Sequence, residues 1–119
     1  MKHSLDFLEL TIEKIYEAIE KKGEQYYSIE KGNTVNQTRL NRSGLLYQID
    51  IDESGESRKL VINAGGNDRV ECNIDVSEKD DRKTVVSYGY HPDKEVFSNF
   101  INRHNDEIDQ LLKSAKDEQ

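Results

Sequence analysis

Leu45, Tyr47, Ile49 and Ile51 alternate with Leu46, Gln48, Asp50 and Asp52, the period of two expected of a strand buried on one face and wet on the other. The alternation returns further along the chain. Leu60, Ile62 and Ala64 share a face within Arg58 to Ala64. Val70, Cys72, Ile74 and Val76 alternate with Glu71, Asn73, Asp75 and Ser77, and Val86, Tyr88 and Tyr90 stand in register within Thr84 to Tyr90. Glu53 to Ser57, the Gly65-Gly66-Asn67-Asp68 cluster and the charged stretch Glu78 to Lys83 are short polar connections that turn a chain back on itself. Four consecutive strands joined this way predict an antiparallel meander with one solvated face.

The segments on either side carry a helical period. Ile12, Ile15, Tyr16 and Ile19 recur at three- and four-residue spacing, while Glu13, Lys14, Glu17, Glu20 and Lys21 fall opposite, which predicts an amphipathic helix over Thr11 to Lys22. Thr11 suits its N-cap, Leu10 and Ile15 a hydrophobic staple, and Gly23 a left-handed position after its end. Upstream, Leu5 and Phe7 alternate with Ser4 and Asp6. That pattern reads as a short first strand, with an extra helical turn as the alternative. Downstream, Gln25 to Ile29 reads as a strand that the polar stretch Lys31 to Gln37 interrupts.

Pro92 suits the first turn of a final helix, whose apolar stripe runs through Val96, Phe97, Phe100, Ile101, His104, Ile108, Leu111, Leu112 and Ala115. Only Lys116 to Gln119 are expected to fray. The expected fold is therefore α+β, an antiparallel meander sheet packed by a long C-terminal helix, with a shorter N-terminal helix.

Length and charge narrow the picture. A chain of 119 residues matches one domain, and an apolar fraction of 34% makes its core thin. Acidic residues outnumber basic ones by 24 to 17, giving a net charge of -7, so the chain lacks the basic stripe that neutralises nucleic-acid phosphates. The same charge disfavours an anionic membrane surface. Cys72 is the single cysteine, which rules out an intramolecular disulfide and suits a reducing compartment; a cytoplasmic location is expected. Neither a signal peptide nor a membrane span is expected, since no apolar run is long enough for either.

Candidate chemistry is sparse. His3, His91 and His104 are far apart and show no ligand spacing, so no metal or other cofactor is expected. His104 lies on the apolar stripe, either as a hydrogen-bonded histidine at the core boundary or as a pH-sensitive group facing a cavity. Cys72 alternates with Val70 and Ile74 on the buried face, where an apolar setting makes a thiol inert. Gly65 to Asp68 joins strand to strand and has no following Lys-Ser/Thr, so it is a turn rather than a phosphate loop. Tyr47, Tyr88, Tyr90, Phe97, Phe100 and His104 would either line a ligand pocket between sheet and helix or pack as plain core.

The order of elements carries a resemblance. With Glu13-Lys14-Ile15-Tyr16-Glu17-Ala18-Ile19 in the first helix and Arg69 to Tyr88 as a penultimate hairpin, the chain resembles the START-like helix-grip superfamily related to polyketide cyclases, in particular its small uncharacterised bacterial domains. The resemblance implies an apolar ligand cavity between sheet and C-terminal helix, and it supplies no catalytic residue. The chain is shorter than a typical member, and Lys22 to Ser43 is brief for the family's second helix and full strand set.

The most distinctive feature is acidic clustering. Asp50, Asp52, Glu53 and Glu56 surround one turn, and Asp75, Glu78, Asp80 and Asp81 surround another. In a meander these two turns point the same way, so negative potential accumulates at one end of the sheet, partly neutralised by Arg58, Lys59, Lys79, Arg82 and Lys83. Such charge is also ordinary solvated surface. The sequence thus suggests a non-enzymatic acidic protein-interaction module, of adaptor, immunity or inhibitor type, docking on a basic partner surface. The alternative is a helix-grip protein holding a small apolar ligand. Uncovered edge strands would also permit a homodimer.

Overall fold

The computed structural model describes residues 2–52, 57–78, 84–88 and 94–117, with side chains placed for residues 8, 10–52, 58–74 and 94–114. The chain begins with α1 (Lys2–Lys22), continues through β1 (Glu24–Glu30), β2 (Asn33–Arg42), β3 (Leu45–Ile51), β4 (Ser57–Asn63), β5 (Arg69–Glu78) and β6 (Thr84–Tyr88), and ends with α2 (Lys94–Arg103) and α3 (Asn105–Asp117). The six strands form one antiparallel sheet in sequence order, so the predicted meander is longer than the four strands expected.

Cross-strand register sorts the apolar residues onto one face. Tyr47 lies opposite Leu40 and Ile62, Ile49 opposite Thr38 and Leu60, and Leu60 opposite Cys72. All three helices cover that face, with α1 against β2 and β3, α2 against β5, and α3 beside α1 and α2. Ile12, Ile15 and Ile19 of α1, Phe97 and Phe100 of α2, and Leu111 of α3 meet Tyr47, Ile49, Leu60, Ile62 and Ile74 of the sheet in one fully buried core. Hydrogen bonds tie the rim. Lys22 Nζ donates to the Ser114 carbonyl at 3.2 Å, Arg42 donates to the Ser114 hydroxyl, and Ser43 donates to Gln110 at 2.6 Å.

Several expectations need correction. There is no strand at Leu5 and Phe7, because α1 already runs from Lys2. Leu5, Leu8 and Ile12 fit helical spacing as well as Leu5 and Phe7 fit alternation, and the longer helix brings Leu8 into the core. Thr11 is accordingly about two and a half turns inside the helix, 8% exposed, and not its cap, while Leu10 is 47% exposed. Gly23 does not hold a positive φ. Its need for glycine is spatial, since a Cβ there would stand 2.6 Å from Thr38 Cγ2 and 2.7 Å from the Ile19 carbonyl oxygen.

The polar stretch after β1 is a hairpin. Lys31 and Gly32, with φ of 54° and 83°, turn the chain into β2, a strand that sequence patterning missed. The single long C-terminal helix is instead two helices of 10 and 13 residues, each shorter than the 21-residue α1. They meet at His104, whose ring pairs with Asp68 in the β4–β5 connection while its N–H still bonds the Phe100 carbonyl and its carbonyl accepts from Ile108. The stripe survives the break, because Phe97, Phe100, Ile101, Ile108 and Leu111 are all buried. Lys116 and Asp117 belong to α3.

Candidate interaction surfaces

Antiparallel order places the β1–β2, β3–β4 and β5–β6 connections at one end of the sheet. Asp52 is exposed at the end of β3, and Asp50 sits two residues earlier on the face away from the helices, half-buried and accepting from Gln48 Nε2 at 2.8 Å. Asp75 and Glu78 occupy the corresponding end of β5, opposite Ser57 and Thr84. Glu53, Glu56, Asp80 and Asp81 lie outside the described residues, and so do Lys79, Arg82 and Lys83. Two of the nearby cations lie on β4, Lys59 directly opposite Asp50. Arg58 turns onto α1, donating to the Tyr16 hydroxyl and standing 3.5 Å from Glu20, and Lys59 Nζ is 3.8 Å from Glu71. Lys31, in the β1–β2 turn, is the cation left at this end among the described residues of the connections.

The aromatic set divides. Tyr47, Phe97 and Phe100 are fully buried in the core, and the Phe100 ring packs against His104 at a tilt of 43° with ring centroids 4.6 Å apart. The side chain of Tyr88, on β6, and the whole of Tyr90 are outside the described residues. The Tyr47 hydroxyl is buried without a hydrogen-bond partner among the described residues, and burial pushes its pKa up. Burial likewise pushes the Cys72 thiol up to about 12, which keeps it protonated and unreactive at neutral pH.

His104 and Asp68 form a polar junction that sequence reading did not connect. Asp68 accepts from Arg103 at 2.7 Å and pairs with His104 Nε2 at 2.7 Å, while Glu107 lies 4.0 Å from His104 Nδ1. The histidine bond first, and the Arg103 guanidinium second, hold the Asp68 carboxyl below its ordinary range. The hint in the sequence was a histidine on an apolar stripe, which requires a partner; the partner's identity depended on the β4–β5 turn. The junction clasps that turn to the α2–α3 break. Among the described residues no group of three or more histidine, cysteine or acidic side chains is arranged to hold a metal ion.

The remaining surfaces lie around β1. Tyr26 and Tyr27 are exposed, Tyr27 and Ile29 each to 76%. On the helix-free face, Glu24, Tyr26, Arg39, Asn41 and Leu46 line a concavity of about 420 Å³ together with Lys22 and Leu40. The Arg39 guanidinium stacks 4.8 Å over the Tyr26 ring, and the Tyr26 hydroxyl donates to Glu24 at 2.9 Å. A second hollow of about 220 Å³ is lined by Arg69, Val70, Glu71 and Val96. Tyr47, Phe97, Phe100 and His104 line neither.

No described helix is long and apolar enough to cross a membrane. Comparison with known proteins finds no matching family model, no matching curated protein and no matching solved structure.

Proposed function

We propose that this chain is a non-enzymatic protein-interaction module, of adaptor, immunity or inhibitor type, whose acidic sheet end docks on a basic partner surface. The observation that carries the reading is the engagement of Arg58 and Lys59. Arg58 is drawn toward the helical layer, donating to Tyr16 and standing 3.5 Å from Glu20, and Lys59, opposite Asp50 in the β3–β4 register, stands 3.8 Å from Glu71. The field at that end steers a basic surface toward the chain and raises the association rate more than the lifetime of the complex.

The test compares the wild type with a variant reversed at Asp50, Asp52, Asp80 and Asp81, both used to capture partners from the native source at low and high salt. A basic partner held by the wild type at low salt, and lost in the variant and in salt, is the expected result. Equal capture by the reversed variant contradicts the proposal.

One observation favours the second reading, a helix-grip protein holding a small apolar ligand. The buried Tyr47 hydroxyl has no hydrogen-bond partner among the described residues and its ring belongs to the apolar core, as a group that orients a ligand would. On that reading Phe100→Ala or Tyr88→Ala changes ligand affinity while changes in the acidic turns do not. A retained small molecule in native mass spectrometry is its direct signature.

A further inference from the structure

β1 is an edge strand paired only with β2, and the turn that ends it fixes which way its backbone groups point. Lys31 and Gly32, both with positive φ, make a two-residue type I′ hairpin flanked by Glu30 and Asn33. In such a turn the flanking residues form a hydrogen-bonded pair, and pairs alternate from there. Ser28, Tyr26 and Glu24 therefore bond to β2, and Gln25, Tyr27 and Ile29 turn their N–H and C=O groups to the free edge. The side chains of these three residues lie on the helix side of the sheet, where Tyr27 and Ile29 are nonetheless 76% exposed. Glu24–Glu30 contains neither the proline nor the lysine that commonly blocks an edge.

We propose that β1 pairs antiparallel with β1 of a second copy, Ser28 facing Ser28 across a two-fold axis, to join two six-stranded sheets into one. Side-chain facing requires a residue at the centre of any such register, and three centres keep at least five residues of the seven-residue strand paired. Centring on Tyr27 sets Glu24 against Glu30 twice, like charges directly opposite. Centring on Tyr26 leaves Ile29 without a strand residue opposite. Centring on Ser28 sets Tyr27 against Ile29 twice, through hydrogen-bonded pairs on the helix side, and leaves Gln25 opposite the turn residue Lys31. It is the register that covers all four exposed apolar side chains and opposes no like charges.

The same axis sends the acidic ends of the two copies to opposite edges of the joined sheet, which separates their charge. The inference does not depend on the function proposed above. One strand pair and four side chains fall near or below the ~1,200 Å² of ordinary specific interfaces, so the dimer is weak and reversible. Because each copy carries a net charge of -7, added salt tightens it.

Sedimentation velocity from micromolar to millimolar protein reads the equilibrium directly, and a dimer that strengthens with salt is expected. Ile29→Lys weakens it by roughly tenfold or more, with an unchanged circular dichroism spectrum because the position is exposed. Ser28→Cys, treated with oxidised glutathione, gives a covalent dimer, because a non-hydrogen-bonded pair brings the two Cα atoms to ~4.5 Å, within disulfide range. Tyr26→Cys cross-links far more slowly, and Cys72 is buried. A wild type monomeric at every concentration, a dimer indifferent to Ile29→Lys, or equal cross-linking of the two cysteine variants overturns the proposal. So does a monomeric wild type whose edge is filled by a strand of another protein.

Discussion

Gly23 closes α1 and opens β1 with no room for a side chain, and its meaning reverses between sequence and structure. A glycine after a helix is commonly there for its left-handed φ, where alanine is strained; a glycine with ordinary φ and open space gains from alanine. Here the φ is ordinary but Ile19, Thr38 and Arg39 crowd the position, so Gly23→Ala is expected to cost about 1–3 kcal/mol in thermal or urea denaturation. Tyr47 gives the opposite sign. Its buried hydroxyl has no partner among the described residues, so Tyr47→Phe is expected to stabilise the isolated chain, by up to ~1–3 kcal/mol.

Asp68 adds a pH dependence. Its folded-state pKa lies below the unfolded value of ~3.9, so its stabilising contribution is complete above that value and is lost as pH falls through the folded one. The melting temperature of Asp68→Asn should therefore fall below that of the wild type near neutrality, with the gap closing in acid. A gap of constant size from neutral to acid pH would show that the carboxylate is not the source.

Strands β3, β4 and the first half of β5 were legible as elements because each is flanked on both sides and faces the helical layer, which buries Leu45, Tyr47 and Ile49, Leu60 and Ile62, and Val70, Cys72 and Ile74 at every second position, although Val61 is buried on the other face of β4 as well. β2 was not. It lies at the margin of the helical layer, only Thr38 and Leu40 of its helix-side residues are buried, and Gln37 is buried on the opposite face, which erases the period of two. The adjacent Tyr26, Tyr27 and Ile29 put apolar residues on both faces of β1, and all three are exposed. The α2–α3 break was invisible because the apolar stripe continues through His104, and the partner of that histidine, Asp68, is 36 residues away. Since α2 anchors the core through Phe97 and Phe100, Phe100→Ala is expected to cost about 3–5 kcal/mol in denaturant unfolding, and a loss under 1 kcal/mol would mean that α2 is only loosely seated.

At the scale of the molecule, one face of the sheet is committed to folding and the other boundaries are left for contact. The helices bury the inner face, the β1 edge offers hydrogen-bonding groups and two apolar side chains, and Asp50 and Asp52 stand at the end of β3. The common direction of the β3–β4 and β5–β6 connections was legible because a meander sends alternate turns the same way; what the sequence could not supply was the engagement of Arg58 with α1. The two surfaces are at right angles within the sheet, so a dimer through β1 leaves the acidic ends free for other partners. The central claim is that the acidic end serves a protein partner. Native mass spectrometry of the protein gently isolated from its own source, at low and at high salt, tests it most directly. The account predicts a stoichiometric complex with a basic protein that dissociates in salt, and a chain that carries only a small molecule, or nothing beyond its own second copy, would contradict it.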